Sequence, residues 1–193
     1  MSTIVVVRKG KQACIAADTL TSFDDVKLSA AYDTHHDKIQ LCGESYLGII
    51  GSSAHSLVVE DIFREAAVDY GMGNRQEIFR TFLRLHAILK EKYFLNVNTK
   101  EDSNDPYEPS HIDAVIANKK GIFAVYGLRD TNEFKRFWAI GSGADFALGA
   151  MYAVYDRLES AEEIARIGVA AGAEFNNASA LPITSKTVIL TDD

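Results

Sequence analysis

The start of the chain constrains the fold most strongly. Residues 4–7 and 12–18 form two apolar segments, rich in β-branched or small side chains, and a basic, glycine-containing turn at residues 8–11 joins them. Two such segments around a short turn predict a β-hairpin. The first strand begins almost at the terminus, and Asp18 closes the second. The hairpin therefore holds the first residues of the chain on a rigid element.

Ser2 is the first candidate functional residue. If Met1 is removed, Ser2 carries a hydroxyl and a free amine on one Cα. An α-amino group titrates near pH ~8, so it can take the proton of the hydroxyl and act as its general base. The competing interpretation is that Ser2 is simply a small residue after the initiator methionine. Ser2 alone does not decide between the two.

Composition predicts one soluble domain spanning residues 1–193. The chain is 47% hydrophobic and 24% charged, which is ordinary for a globular protein. Its net charge is −7 and its basic residues are scattered, which argues against nucleic acid as a partner. No apolar segment approaches the ~20 residues of a membrane span, and no signal peptide is recognisable. We therefore expect a cytoplasmic protein without a membrane partner.

Cysteine and histidine usage predicts neither a metal nor a cofactor. Cys14 and Cys42 lie in predicted strands and are expected to be reduced and buried. The five histidines are scattered and lack metal-ligand spacing.

Hydrophobic periodicity predicts further strands and helices. The predicted strands are Lys38–Cys42, Tyr46–Ile50, Ile112–Ala117, Gly121–Tyr126, Phe134–Ile140 and Ile183–Leu190. The predicted helices are Ala54–Tyr70, Arg75–Phe94, Ala144–Leu158 and a fourth that starts at a Ser160/Glu163 capping box and reaches Phe175. Antiparallel strand pairs bracketed by two helix pairs predict an α+β protein, a four-layer αββα sandwich of two antiparallel sheets.

Two segments are predicted to be irregular. Residues 19–37 are polar and acidic, and residues 96–110 form a long loop that is either a flap, an interface or plain solvated chain. The expected apolar stripes of the first two helices are Leu57, Val58, Ile62, Phe63 and Ala66, and Ile78, Phe79, Phe82, Leu85, Ile88 and Leu89.

Five short motifs, in order, carry a resemblance to a known family. They are Ser2-Thr3-Ile4-Val5, Asp18, Lys38-Ile39, Gly51-Ser52-Ser53-Ala54 and Ala139-Ile140-Gly141-Ser142-Gly143. Over nearly its whole length the chain resembles the proteasome β-subunit superfamily of N-terminal nucleophile hydrolases, especially its small bacterial HslV-like branch, the bacterial proteasome homologues. The resemblance implies the N-terminal nucleophile hydrolase fold.

The resemblance also implies roles for individual residues. Ser2 would attack a carbonyl, Lys38 would favour alkoxide character at its hydroxyl, and Asp18 would hold Lys38. The backbone N–H of Gly51 would stabilise the oxyanion. Further implied residues are Ser142, Asn176 and Ser179 in the catalytic group and Thr21, Ser22, Ile49 and Ser53 along an extended substrate. The alternatives are a strand-end ion pair for Lys38 and Asp18 and a tight turn at Gly51.

The chain departs from the family pattern at two positions. Serine replaces the usual threonine nucleophile, and the added rotamer freedom costs at most roughly 0.65 kcal/mol. Asn176 stands where the family has an aspartate near the amine, and a neutral hydrogen bond is weaker than a charged one by about 1 kcal/mol. Glu174 is the alternative acid under a shifted alignment, and a helix-terminal turn is the alternative interpretation of Asn176.

The resemblance implies a self-compartmentalising peptidase with a polypeptide substrate. Its subunits would form a homo-oligomeric double ring of six- or sevenfold symmetry, twelve or fourteen subunits in all, and an ATP-dependent unfoldase is the partner to be tested for. The main alternative is a proteasome-like ring that acts in binding or assembly with little peptidase activity. A non-peptide amidase with the same nucleophile is a third.

Overall fold

The computed structural model describes residues 2–23, 25–65, 70–97 and 106–191, without the side chain of Ser53. The strands are β1 (Ile4–Lys9), β2 (Gln12–Asp18), β3 (Thr21–Phe23), β4 (Val26–Leu28), β5 (Ile39–Cys42), β6 (Ser45–Ile50), β7 (Asp113–Asn118), β8 (Gly121–Val125), β9 (Thr131–Phe134), β10 (Phe137–Ile140) and β11 (Ile183–Ile189). The helices are α1 (Ser53–Arg64), α2 (Arg75–Lys92), α3 (Ala144–Val154) and α4 (Ala161–Phe175).

The predicted N-terminal hairpin lies inside a sheet. A four-stranded antiparallel sheet has the order β10-β1-β2-β11, and a five-stranded antiparallel sheet has the order β5-β6-β7-β8-β9. In the hairpin, Ile4 pairs with Ala17 and Val7 with Cys14. Strand β1 has a neighbour on each edge, so its backbone polar groups are bonded on both sides.

Both faces of β1 are covered, which explains its continuous apolar sequence. Ile4 and Val6 pack toward the five-stranded sheet, in a cluster with Val115 and Ile122. The alternate residues of β1 pack toward α3 and α4, in a cluster that includes Met151, Ile164 and Val169. Because successive side chains of a strand point to opposite faces, a strand buried on both sides needs an apolar residue at every position.

The other face of the five-stranded sheet is covered by α1 and α2. Ile78, Phe82 and Leu85 of α2 share a buried cluster with Leu47 and Phe123 of the sheet. The order of layers is therefore helix pair, sheet, sheet, helix pair, which confirms the predicted αββα sandwich.

Two sequence predictions about strands are wrong. Residues 19–37 are not irregular throughout, because β3 and β4 pair as a short antiparallel hairpin. The predicted strand Phe134–Ile140 is two strands, β9 in the five-stranded sheet and β10 in the four-stranded sheet. The chain crosses between the sheets at Lys135 and Arg136, and hydrophobic periodicity does not reveal such a crossing.

The helix predictions hold except at some positions of the apolar stripes and ends. Leu57 and Phe79 were expected in the core but are 68% and 44% exposed, whereas Val59 is fully buried. Helix α1 spans Ser53–Arg64, and residues 66–69 of its predicted C-terminal part lie outside the described residues. Helix α3 ends at Val154 rather than at Leu158. Ala66 and residues 98–105 of the expected long loop lie outside the described residues.

Both cysteines are free and buried, as expected. Burial raises the pKa of Cys14 to about 11 and that of Cys42 to about 12, so neither thiol is nucleophilic at neutral pH. Within the described ranges, the helices are all too short or too polar to cross a bilayer.

Candidate active site

Ser2 lies at the wall of a cleft between the β3–β4 hairpin, the β5–β6 hairpin and α1. The cleft has a volume of about 990 Å³, and Lys38, Ile49 and Gly51 line it together with Ser2. Ser2 itself is 7% exposed. Although Ser2 is largely buried, its hydroxyl has a cationic partner, the ammonium of Lys38.

Lys38 connects the Ser2 hydroxyl to Asp18. Its Nζ donates to Ser2 Oγ at 3.0 Å and to Asp18 Oδ1 at 2.8 Å. Burial lowers the pKa of Lys38, and the neighbouring carboxylate of Asp18 opposes that shift. A positive charge at this distance from a hydroxyl stabilises the alkoxide form and so favours nucleophilic attack.

Asp18 is anchored by backbone amides as well as by Lys38. Its Oδ1 accepts from Thr3 N at 2.9 Å, and its Oδ2 accepts from Leu20 N at 3.0 Å and Ala180 N at 3.2 Å. The residue is fully buried at the end of β2. Four donors therefore fix one carboxylate, which in turn fixes the ammonium beside Ser2.

Thr3 belongs to the structural support of the site and was missed as such from the sequence. It is fully buried, and its Oγ1 shares a 2.7 Å hydrogen bond with Ser179 Oγ. A Cβ added to Gly143 or Gly172 would lie 2.0 or 2.4 Å from Thr3 Oγ1, so the two glycines make room for this hydroxyl. Ser2 and Thr3 point to opposite sides of the chain, as successive residues of an extended segment do.

The turn between β10 and α3 positions the backbone of Ser2. Gly143 N donates to the Ser2 carbonyl at 3.3 Å. Gly141 has a φ of 97°, and a Cβ at this position would lie 2.0 Å from the Ser2 carbonyl oxygen. Only glycine combines that φ with that close approach. In the predicted Gly-Ser-Gly motif, it is therefore the two glycines that position the backbone of Ser2.

Asn176 joins two turns next to the site through its side-chain amide. Its Oδ1 accepts from Ser142 Oγ and from Ala178 N, and its Nδ2 donates to the Ser142 carbonyl, each at 3.0 Å. A carboxylate could not make the last of these bonds. Among the described residues, Ser142, Asn176 and Ser179 make no hydrogen bond to the Ser2 hydroxyl. Glu174, the alternative acid, is exposed on α4.

The remaining predicted residues lie along the cleft. Gly51 follows β6 with a φ of 128° and is exposed to solvent. Thr21 and Ser22 are half-buried residues of β3, and Ile49 is buried in β6. All four line the same cleft as Ser2. Ser53 is the first residue of α1, and its side chain lies outside the described part.

Comparison with solved structures identifies close structural relatives. The BPH of Thiobacillus denitrificans is 41% identical to this chain, with a TM-score of 0.93 over 99% of this chain and 100% of that one. The same protein in complex with epoxomicin is 40% identical, with a TM-score of 0.92 over 98% of this chain and 100% of that one.

A more distant structure shares the fold alone. The eukaryotic HslV of Trypanosoma brucei is 17% identical, with a TM-score of 0.67 over 97% of this chain and 99% of that one. No protein-family model matches the chain, and no curated protein matches it.

Proposed function

The chain belongs to the HslV-like, proteasome β-subunit family of N-terminal nucleophile hydrolases, and on this premise we propose that it is a peptidase subunit whose nucleophile is Ser2. The nucleophile would form when Met1 is removed. One observation carries the proposal: Lys38, held by Asp18, donates to the Ser2 hydroxyl at 3.0 Å inside a cleft large enough for an extended peptide.

The geometry favours Ser2 over Thr3, although the family is of the threonine type. Lys38 contacts the hydroxyl of Ser2, and the cleft is lined by Ser2. The hydroxyl of Thr3 is bonded to Ser179 between two glycines and has no exposed surface. A substrate carbonyl could not reach Thr3 without disrupting the core of the site.

The proposed reaction uses the two polar groups of the N-terminal residue in turn. The Ser2 hydroxyl attacks the peptide carbonyl, its proton passes to the α-amine, and an Oγ–C bond forms. The negative carbonyl oxygen would be stabilised by the backbone N–H of Gly51. The amine then gives its proton to the leaving amine as the C–N bond breaks, and an ester of Ser2 remains.

Water completes the cycle by hydrolysing that ester. The free α-amine accepts a proton from water, and the resulting hydroxide attacks the ester carbonyl. Collapse of the second tetrahedral intermediate returns the proton to Ser2 Oγ and releases the carboxylic acid. Throughout, Lys38 stabilises negative charge on Oγ and Asp18 keeps Lys38 in place.

We also propose that the subunits assemble into rings that enclose the sites, in keeping with the proteasome-like fold. The six- or sevenfold symmetry and the unfoldase partner stay predictions. Sedimentation analysis of the purified protein tests the proposed assembly into rings, since a stable monomer would contradict it. The unfoldase partner is tested by adding an ATPase and measuring whether it stimulates degradation of a folded substrate.

A second candidate function is a proteasome-like ring with little peptidase activity. The observation in its favour is that Asn176 is an amide, bonded to Ser142 and Ala178, where the family has a carboxylate. It supplies no negative charge to hold the amine of Ser2. A weakly positioned amine would lower the rate of every proton transfer in the cycle.

Intact-mass spectrometry with epoxomicin separates the two functions. An epoxyketone offers one electrophilic carbon to a hydroxyl and another to an amine, so stable addition requires both groups on one residue. For the peptidase we expect loss of Met1 and a gain of one inhibitor mass, and no gain in a Ser2→Ala variant. Thr34→Ala is the matched control, because it removes another hydroxyl from the same cleft. Complete loss of Met1 without any adduct would refute the peptidase proposal.

A further inference from the structure

Gly51 lies between two elements and belongs to neither. The pairing of β6 with β7 ends at Ile50 and Asp113, and Ser52 caps the start of α1. Gly51 is therefore the single residue between the sheet and the helix cap, and no hydrogen bond from its N–H is found among the described residues. Glycine adopts positive and negative φ with similar ease, so a φ of 128° does not by itself fix the direction of this N–H. Neighbouring groups must hold the peptide in one orientation.

Two histidines contact Gly51. A Cβ built on Gly51 would lie 3.2 Å from His55 Nδ1 and 4.0 Å from His55 Cε1, so this edge of the imidazole faces the Gly51 Cα. The same point would lie 3.4 Å from the carbonyl oxygen of His111. Contacts this close leave little free space on that side of Gly51. The residue cannot turn toward α1 unless the ring of His55 moves.

The ring of His55 is held in the first turn of α1. The His55 N–H donates to the Ser52 carbonyl at 3.0 Å, and the side chain is half-buried. Its Nδ1 is buried and has no hydrogen-bond partner among the described residues. Burial lowers the pKa of His55, and the charge of His111 lowers it further, so the ring is neutral near pH 7. Because a buried acceptor without a donor costs stability, what the ring contributes here is its contact with Gly51.

The carbonyl of His111 belongs to a segment that is fixed by its neighbour. Ser110 is buried, and its N–H donates to the Gly127 carbonyl at 2.7 Å. Ser110 Oγ accepts from Arg129 Nη1 at 3.0 Å and shares a 3.1 Å hydrogen bond with His86 Nδ1. This carbonyl therefore stays in place, and the ring of His55 is the part of the contact that a substitution can remove.

We propose that His55 is a positioning residue for the oxyanion donor: together with the His111 carbonyl, its ring holds the Gly51 peptide so that the N–H points into the cleft. This inference rests on the proposed peptidase function and deepens it. His55 is not among the described residues that line the cleft, so it acts through Gly51. A bound peptide needs no oxyanion donor, whereas the tetrahedral intermediate does. Loss of the ring should therefore weaken binding of the intermediate and of its analogues, and leave binding of the unreacted peptide unchanged.

Two inhibitors with the same side chains measure these two affinities. The aldehyde acetyl-Leu-Leu-leucinal forms a hemiacetal with Ser2: the Oγ–C bond forms, the C=O double bond becomes single, and the Oγ proton passes to the former carbonyl oxygen. The alcohol acetyl-Leu-Leu-leucinol binds without a covalent bond. Competition with a labelled peptide gives both dissociation constants. For the parent protein without Met1 we expect the aldehyde to bind about tenfold or more tightly than the alcohol.

Two variants at position 55 separate the contact from the chemistry of the imidazole. His55→Ala removes the ring, and we expect it to bind the aldehyde about tenfold more weakly, to bind the alcohol within about twofold of the parent, and to lower kcat about tenfold at an unchanged KM. His55→Leu places a methyl group near the position of Nδ1 and should keep these values within about twofold of the parent. Its urea midpoint should not fall, because the substitution removes a buried acceptor without a donor.

Ile62→Val is the matched control. Ile62 is buried two turns further along α1, so the shorter side chain loosens the core of the same helix away from Gly51. The variant should unfold at a lower urea concentration and keep the parent's ratio of aldehyde to alcohol affinity.

Three results would overturn the inference. An unchanged ratio in folded His55→Ala would mean that the ring does not position Gly51. An equal loss in His55→Leu would mean that the imidazole acts through its nitrogen and not through the contact. An equal loss in Ile62→Val would mean that the stability of α1 sets the ratio.

Failure of the proposed function gives a different pattern. Tight aldehyde binding that depends on His55, without cleavage of any peptide by the parent, supports the inference and refutes the peptidase. Peptide cleavage with a kcat that does not respond to His55→Ala supports the peptidase and refutes the inference. If the parent neither cleaves peptides nor prefers the aldehyde to the alcohol, both are refuted.

Discussion

Replacing Gly141 with alanine should disable the site through the backbone of Ser2. The added Cβ would lie 2.0 Å from the Ser2 carbonyl oxygen and 2.8 Å from its carbonyl carbon, both backbone atoms that cannot rotate away. Ser2 would have to move by about 1 Å to restore a normal contact, and misplacement of that size costs on the order of 10²-fold in rate.

The same substitution should also destabilise the protein. Alanine at a φ of 97° costs about 1–2 kcal/mol, and loss of the bond from Gly143 N to the Ser2 carbonyl costs about 1 kcal/mol more. We therefore expect the free energy of unfolding to fall by about 2–3 kcal/mol. Urea denaturation measures this change, and it also identifies the folded fraction on which the rate is compared.

The assay for the site is the rate of epoxomicin addition, followed by intact mass, together with peptide cleavage. Gly149→Ala is the control, because it lies in the same turn-and-helix segment and a Cβ there has no atom within 4 Å. It should leave the rates unchanged and stabilise α3 by up to ~1 kcal/mol. Folded Gly141→Ala that reacts within about threefold of the parent would refute the reasoning, since the expected loss is ~10²-fold.

Three further predictions concern two supports of the site and one buried histidine of α2. Lys38→Met should lower kcat on the order of 10²-fold and destabilise the protein, because it leaves the buried Asp18 charge without its cation; peptide cleavage and urea denaturation test this. Thr3→Val should cost about 1 kcal/mol by removing the bond to Ser179, and a double-mutant cycle with Ser179→Ala should show coupling of that size, so simple additivity would contradict the bond. Burial lowers the pKa of His86, so below its ordinary value near 6.5 the unfolded state binds more protons than the native state, and stability should fall as pH falls from 7.5 toward the lowered native pKa. Urea midpoints across that range measure the fall, and a slope unchanged in His86→Gln would exclude His86 as its source.

Much of the fold follows from local patterns. The apolar segments of β1 and β2 and the turn between them specify the hairpin, and the Ser160 cap, which accepts from Glu163 N, specifies the start of α4. Local patterns do not predict burial correctly where it depends on which distant segment packs against a given face of a helix. Leu57 has the helical spacing of a core residue, yet it is exposed at the cleft.

In the candidate site, too, some features could be predicted from the sequence and others depend on the tertiary structure. The family motifs point to Ser2, Asp18, Lys38 and Gly51. The structure places Ser2, Lys38 and Gly51 along one cleft, and Asp18 lies buried in contact with Lys38. The position of Thr3 under Gly172 could not be predicted. Thr3 lies just before β1 and Gly172 lies on α4, 169 positions later, and the two become neighbours only when α4 packs on the sheet. The amide bonds of Asn176 likewise depend on two turns that meet only after folding.

The sequence by itself determined the strand at the terminus, the layered helix and sheet pattern, and which residue types are available for chemistry. It did so because hydrophobic periodicity and turn residues act over a few neighbouring positions. The tertiary structure alone decided that Lys38 bonds to the hydroxyl of Ser2 and that the hydroxyl of Thr3 bonds instead to Ser179. Those choices rest on contacts between distant segments, whose distances are set only when sheets and helices pack together.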